Sequence, residues 1–341
     1  MRDATVSTSD LLYVEWYITY ACNYKCSYCF YGSENLLKKS YMYQVRGPKL
    51  VRSGLKGKIF ALARSAGVLS YADSRQNHGV DEWKRMFAGL ARHRRKLYLS
   101  FTGGEPLAEE RFIVEMLNYL DEIFDEFKVR IDTNGSLLPK FKGLKEGIDI
   151  AFNVSHHPTQ TDLESFLVRL GELRTKGRVA MVNRVVGRAE IPFIEEEVEA
   201  FRARGYFLNV SPDSFDTGSY SAEENAVLAR LRSPIDIDNP ILNKNIGKSC
   251  VYPSFGLVLL PTGYAWTTPC STKKVNLIAQ PDRIKELLTE GAVTCPAACA
   301  CFHQYSWADG LGFKGIDFIG EYVQRNVEWR ARQVAPVRTG E

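Results

Sequence analysis

The segment LYVEWYITYACNYKCSYC, from Leu12 to Cys29, joins a β-rich run directly to three cysteines spaced C-x3-C-x2-C. Three thiolates this close leave one iron of a [4Fe–4S] cube without a protein ligand, because the usual complement is four cysteines. An open coordination position is what a substrate or cofactor needs in order to bind metal directly. Three structural cysteines, or part of a zinc site, is the competing reading; zinc normally takes four ligands at shorter paired spacings.

Working outward, Leu12–Tyr20 is the first of six strand candidates, followed by 97–102, 128–133, 148–155, 178–186 and 206–211. Amphipathic helical stretches lie between them, at 108–127, 162–176 and 194–204, the last closing at Gly205 as a helix C-cap would. Alternation of this kind is the signature of βα units around a parallel sheet. The second strand ends in Phe101-Thr102-Gly103-Gly104-Glu105-Pro106. Two glycines let the backbone approach a ligand, Glu105 offers an acceptor for an ammonium, and Pro106 fixes the turn into the next helix.

Taken together, Cys22, Cys26 and Cys29, the aromatic Tyr28 between the last two, and the Gly103 to Pro106 loop resemble the hallmarks of the radical S-adenosylmethionine (SAM) superfamily. The resemblance covers roughly the first two thirds of the chain. It implies a partial (β/α)6 TIM-like barrel, in agreement with the strand count. It also implies that the open iron takes the amino and carboxylate groups of SAM, that the GGEP loop holds the amino group, and that Tyr28, Asn134 after the third strand and Ser155 in the fourth help bind SAM. His156 and His157 at the fourth strand end read either as substrate or ribose contacts or as a polar turn. Arg184 and Arg169 read either as partners of the SAM carboxylate or as ordinary surface residues.

A second group, Cys250, Cys270, Cys295, Cys299 and Cys301, lies in the last third. Cys250 and Cys270 flank a hairpin pattern with a Pro261-Thr262-Gly263 turn, which would bring the two thiols together. This layout resembles the Twitch or SPASM extensions of the family, which carry an auxiliary iron–sulfur cluster. One further [4Fe–4S] cluster fits, and four ligands leave one cysteine over, either an inert buried residue or a hydrogen-atom donor. A zinc site is the alternative on ligand grounds. The Gly310-x-Gly312-x-x-Gly315 run follows the cysteine knot rather than a strand and reads as loop glycines.

Composition adds exclusions more than functions. With 45% hydrophobic and 25% charged residues the chain is an ordinary globular one, and a net charge of +4 is too small for a dedicated nucleic-acid binder. Neither a secretory signal nor an apolar run of spanning length is present, so the expected location is cytoplasmic and no membrane partner is expected. The expected organisation is a tail at 1–10, a barrel at 11–234 with an insertion or lid at 31–80, a small α+β auxiliary-cluster domain at 235–310, and a C-terminal helix and tail at 311–341. The family reading further implies a low-potential electron donor such as flavodoxin or ferredoxin. Its substrate is expected to be a peptide or protein modified by crosslinking, oxidation or epimerisation, with a small molecule such as an aminoglycoside as the alternative. Nucleic acid is a less favoured second alternative, raised by the basic residues after Tyr31.

Overall fold

The computed structural model describes residues 10–26, 28–29, 78–213, 220–231, 249–267, 273–294, 321, 323–325 and 327–328. The expected insertion, the domain boundary near 235, the C-terminal tail and Cys270, Cys295, Cys299 and Cys301 fall outside those residues.

Six strands run parallel and in sequence order across one sheet: β1 (Leu11–Thr19), β2 (Lys96–Gly103), β3 (Glu126–Thr133), β4 (Ile150–His156), β5 (Arg178–Val186) and β6 (Leu208–Pro212). β6 is an edge strand, so the sheet is open, as in a partial barrel. Helices α1 (Val80–Ala91), α2 (Glu110–Ile123), α3 (Leu163–Arg174), α4 (Ile194–Ala203) and α5 (Ala222–Leu231) accompany it. α3 starts where Asp162 accepts the Ser165 N–H, and α4 ends at Gly205, whose φ of 77° only glycine adopts without strain.

Side chains alternate across each strand, and the parity sorts the sheet into two surfaces. Leu12, Val14, Trp16 and Ile18 face the helices, as do Leu97, Leu99 and Phe101, and all are fully buried in one continuous core. Trp16 sits in the middle, with the Trp83 and Phe87 rings of α1 centred 4.6 and 5.2 Å away. Removing a buried indole of this kind costs about 3–5 kcal/mol.

One element differs from the sequence expectation. The apolar spacing that extends a helix through Phe127 stops at Ile123, because Phe124 takes an extended conformation and the Asp125 N–H bonds the Arg95 carbonyl, which starts β3. The β3–β4 crossover contains no helix: Gly135, Gly143 and Gly147 adopt positive φ and break the run. Leu137, Phe141, Leu144 and Ile148 pack against the core in its place.

The expected hairpin is present as β8 (Gly256–Leu259) and β9 (Tyr264–Trp266), turning through Gly263. It extends the barrel sheet, since β8 pairs in parallel with β1, Tyr13 opposite Gly256, and β10 (Val275–Asn276) adds antiparallel to β9. The strand β7 (Ser249–Cys250) pairs separately with β11 (Val293–Thr294).

Candidate active site

On the surface away from the helices a cluster around Tyr13, Tyr98, Tyr252 and Phe255 packs beside polar residues of the strands. Arg130 and Asp132 of β3 form an ion pair at 2.9 Å, and Ser100 of β2 donates to Asp132 while accepting from Arg130. Burial would lower the Arg130 pKa, but Asp132 together with Tyr13, Tyr98 and Glu15 more than offsets this and keeps the guanidinium charged. From Asp132 a row of carboxamides crosses the sheet: Asn153 donates to Asp132 at 2.9 Å, Asn183 to Asn153 at 2.6 Å, and Asn209 to Asn183 at 2.9 Å.

At the C-terminal strand ends, where parallel barrels place their chemistry, three loops hold the segment bearing Cys22, Cys26 and Cys29. The first support is the end of β2. Gly104 and Glu105 donate their backbone N–H groups to the carbonyls of Thr19 and Ala21 at 2.8 Å each. A Cβ on Gly103 or Gly104 would lie 2.1 or 2.0 Å from those carbonyl oxygens, so only glycine permits the approach.

The second support follows β3. The Asn134 carboxamide nitrogen lies 3.6 Å from Cys22 Sγ and donates to Asn23 at 3.0 Å, and Asn23 donates to Ser136 at 2.8 Å. The third follows β4: Lys25 N–H donates to the Gln160 side chain, and His157 Nδ1 lies 3.4 Å from Cys26 Sγ and 2.6 Å from the Tyr28 hydroxyl oxygen.

Glu105 is fully buried beneath this loop. Its carboxylate accepts from Thr133 Oγ1 at 2.7 Å and from the backbone N–H groups of Asn134 at 2.8 Å and Leu107 at 3.0 Å. Burial raises its pKa, and these donors only partly counter that. In this arrangement the carboxylate ties the β2 end to the β3 end. Pro106 opens the short helical turn that follows.

Cys22 is exposed, and Cys26 and Cys29 are part-buried. Burial pushes the Cys26 thiol up to about 12, and the neighbouring Cys29 and Cys22 push in the same direction. Burial likewise raises Cys22 and Tyr28. Burial, then the charges of His156 and Arg184, hold His157 down at about 4. Among the described residues no three His, Cys, Asp or Glu side chains close on a single metal ion. Thiols gathered on one loop, two of them with a nitrogen-bearing side chain against the sulfur, fit a cluster in which each thiolate binds its own iron.

Other residues singled out from sequence are placed as follows. Ser155 lies in β4 opposite Asn183, on the polar surface. Arg184 and His156 point to the helix side, where both engage Glu197 of α4. Arg169 donates to the Ser136 carbonyl next to the cysteine loop. Cys250 is in β7. Sequence reasoning missed Asn23, Gln160 and the Asn183–Asn209 continuation of the row, although strand parity alone puts those two asparagines on one surface with Asn153.

A family model described as the radical SAM superfamily matches residues 16–188. Similar solved structures include native anSMEcpe with bound AdoMet and Kp18Cys peptide, 15% identical, covering 81% of this chain and 82% of that one with a TM-score of 0.47. BtrN in complex with AdoMet and 2-DOIA is 12% identical, covering 95% of this chain and 89% of that one with a TM-score of 0.27. No curated protein matches the sequence.

Proposed function

This chain belongs to the radical SAM superfamily, whose members are enzymes that use SAM and a [4Fe–4S] cluster, and from that premise we propose that Cys22, Cys26 and Cys29 hold the SAM-binding cluster. When bound, that cluster supplies one electron to the sulfonium of SAM, splitting it into methionine and a 5′-deoxyadenosyl radical that removes a hydrogen atom from the substrate. The observation that carries the reading is the docking of one three-cysteine loop onto the C-terminal ends of β2, β3 and β4.

The chain's own residues have distinct parts in this. Gly103 and Gly104 bring backbone against the loop, and the GGEP turn holds the SAM amino group. Tyr28, Asn134 and Ser155 complete the SAM site. The carboxamides of Asn153, Asn183 and Asn209 face the substrate and orient it through hydrogen bonds. We assign the substrate to peptides or proteins, modified by crosslinking, oxidation or epimerisation. Carboxamides bond hydroxyl groups as readily as peptide groups, and this favours as second reading a hydroxylated small molecule undergoing dehydrogenation or epimerisation. Cys250, Cys270, Cys295, Cys299 and Cys301 are assigned to an auxiliary [4Fe–4S] cluster, and a flavodoxin or ferredoxin to electron supply.

Anaerobically reconstituted protein given dithionite and SAM is expected to release 5′-deoxyadenosine and methionine. Cys26→Ala should reduce that release to the level of protein-free controls. Equal release from both proteins would overturn the assignment.

A further inference from the structure

Cys26 meets one side chain that the family reading does not use. β4 ends at His156, and the next residue opens a turn in which the His157 carbonyl accepts from the Gln160 and Thr161 N–H groups at 2.8 and 3.1 Å. That turn fixes the imidazole between two tyrosines of the cysteine loop. Tyr24 stands edge-on at 5.8 Å, and the Tyr28 ring lies within 18° of parallel at the same centroid distance. His157 Nδ1 is thereby held 2.6 Å from the Tyr28 oxygen and 3.4 Å from the Cys26 sulfur.

A neutral imidazole carries one N–H, and the two tautomers have different consequences here. With the hydrogen on Nε2, Nδ1 accepts from the Tyr28 hydroxyl but turns its lone pair toward Cys26. A sulfur bound to iron has no proton to donate, so that contact becomes repulsive. With the hydrogen on Nδ1, the N–H lies between the Tyr28 oxygen and the Cys26 sulfur, and both can accept it.

We propose that His157 is a positioning residue for the cluster on Cys22, Cys26 and Cys29, donating its Nδ1–H to the Cys26 sulfur and so raising the cluster's reduction potential. The proposal rests on the cluster assignment above. Its sign follows from charge: reduction adds an electron to the cluster, and an N–H dipole aimed at a ligand sulfur stabilises the more negative state. On the other flank of the loop, Asn134 stands in the same relation to Cys22, its Nδ2 at 3.6 Å from the sulfur.

The test is an EPR-monitored redox titration of the reconstituted cluster, with iron and sulfide content measured alongside. His157→Phe keeps a flat ring and removes the donor. At a fixed potential its reduced-to-oxidised ratio should fall about tenfold, equivalent to a drop of about 59 mV for a one-electron couple. His157→Asn places a carboxamide nitrogen near the position of Nδ1 and should restore most of the wild-type potential. A cluster-bearing His157→Phe variant at the wild-type potential would overturn the proposal, as would an Asn variant no higher than the Phe variant. Should His157→Phe fail to retain iron, His157→Leu takes its place, and a cluster-bearing Leu variant at the wild-type potential counts against the proposal. Absence of a cubane signal in the wild type would instead remove the cluster assignment itself.

Discussion

Two buried arginines lie on opposite surfaces of the same sheet, and their surroundings differ in one respect that matters. Arg184, on the helix side, is closed in by two carboxylates: Glu197 at 3.2 Å and Glu190 at 2.5 Å, with His156 completing the set on Glu197 at 2.6 Å. Every partner there belongs to β4, β5, α4 or the turn between β5 and α4, so the cluster binds the barrel wall to itself. Arg130, on the polar side, pairs with Asp132, and its network continues outward through Asn153, Asn183 and Asn209. A buried charge is therefore no sign of function in itself. A network that continues as a row of carboxamides along the barrel's polar surface is the kind a substrate can join.

The largest effect expected from this contrast is at Asp132. Its replacement by Ala leaves the Arg130 guanidinium buried without its carboxylate, which costs about 3–5 kcal/mol, readable from the urea midpoint. Glu197→Ala should cost less, about 1–3 kcal/mol, because Glu190 still pairs with Arg184. Its 5′-deoxyadenosine release per cluster should match the wild type. A large loss of turnover there would erase the distinction between the two surfaces.

The same residue gives a pH dependence. Burial would raise the Glu197 pKa, yet the His156 hydrogen bond and the Arg184 charge bring it below the ordinary value. A group depressed in the folded state adds stability above its unfolded pKa, about 4.3, and loses it as pH falls through the folded value. The stability gap between wild type and Glu197→Gln should therefore narrow in acid-unfolding curves below about pH 4.3. Smallest of all is Asn209→Ala at the far end of the row, expected to change stability by no more than about 1 kcal/mol. A cost matching that of Glu197→Ala would make the row part of the wall.

Much of this was legible in the sequence, and the reasons for the misses are physical. The parallel alternation and the cysteine loop could be read because each is a local pattern: period two in the strands, and C-x3-C-x2-C directly after one of them. Arg184 was readable too, since it shares parity with Val182 and Val186, both buried in the helix-side core. It is buried against Glu190 and Glu197 rather than at the surface. The overextended helix after Ala108 arose because Phe124 and Phe127 continue a helical spacing while serving a turn and a strand. His157 could not be resolved from sequence because its contacts, Cys26 and Tyr28, are 131 and 129 residues away. The buried hydrogen bonds of Glu105 could not be read from its own loop, because their donors, Thr133 and Asn134, stand at the end of the third strand.

The parallel pairing of β8 with β1 carries a consequence for biosynthesis. A ribosome that has completed the six barrel strands has released a sheet whose first edge still shows bare N–H and C=O groups, and only the later arrival of Gly256 to Leu259 seals it. Contacts so distant along the chain form late. Until then the nascent protein exposes a template for mispairing on the very strand that leads into the first cysteines, so chaperone protection of this edge should matter more than protection of the opposite one.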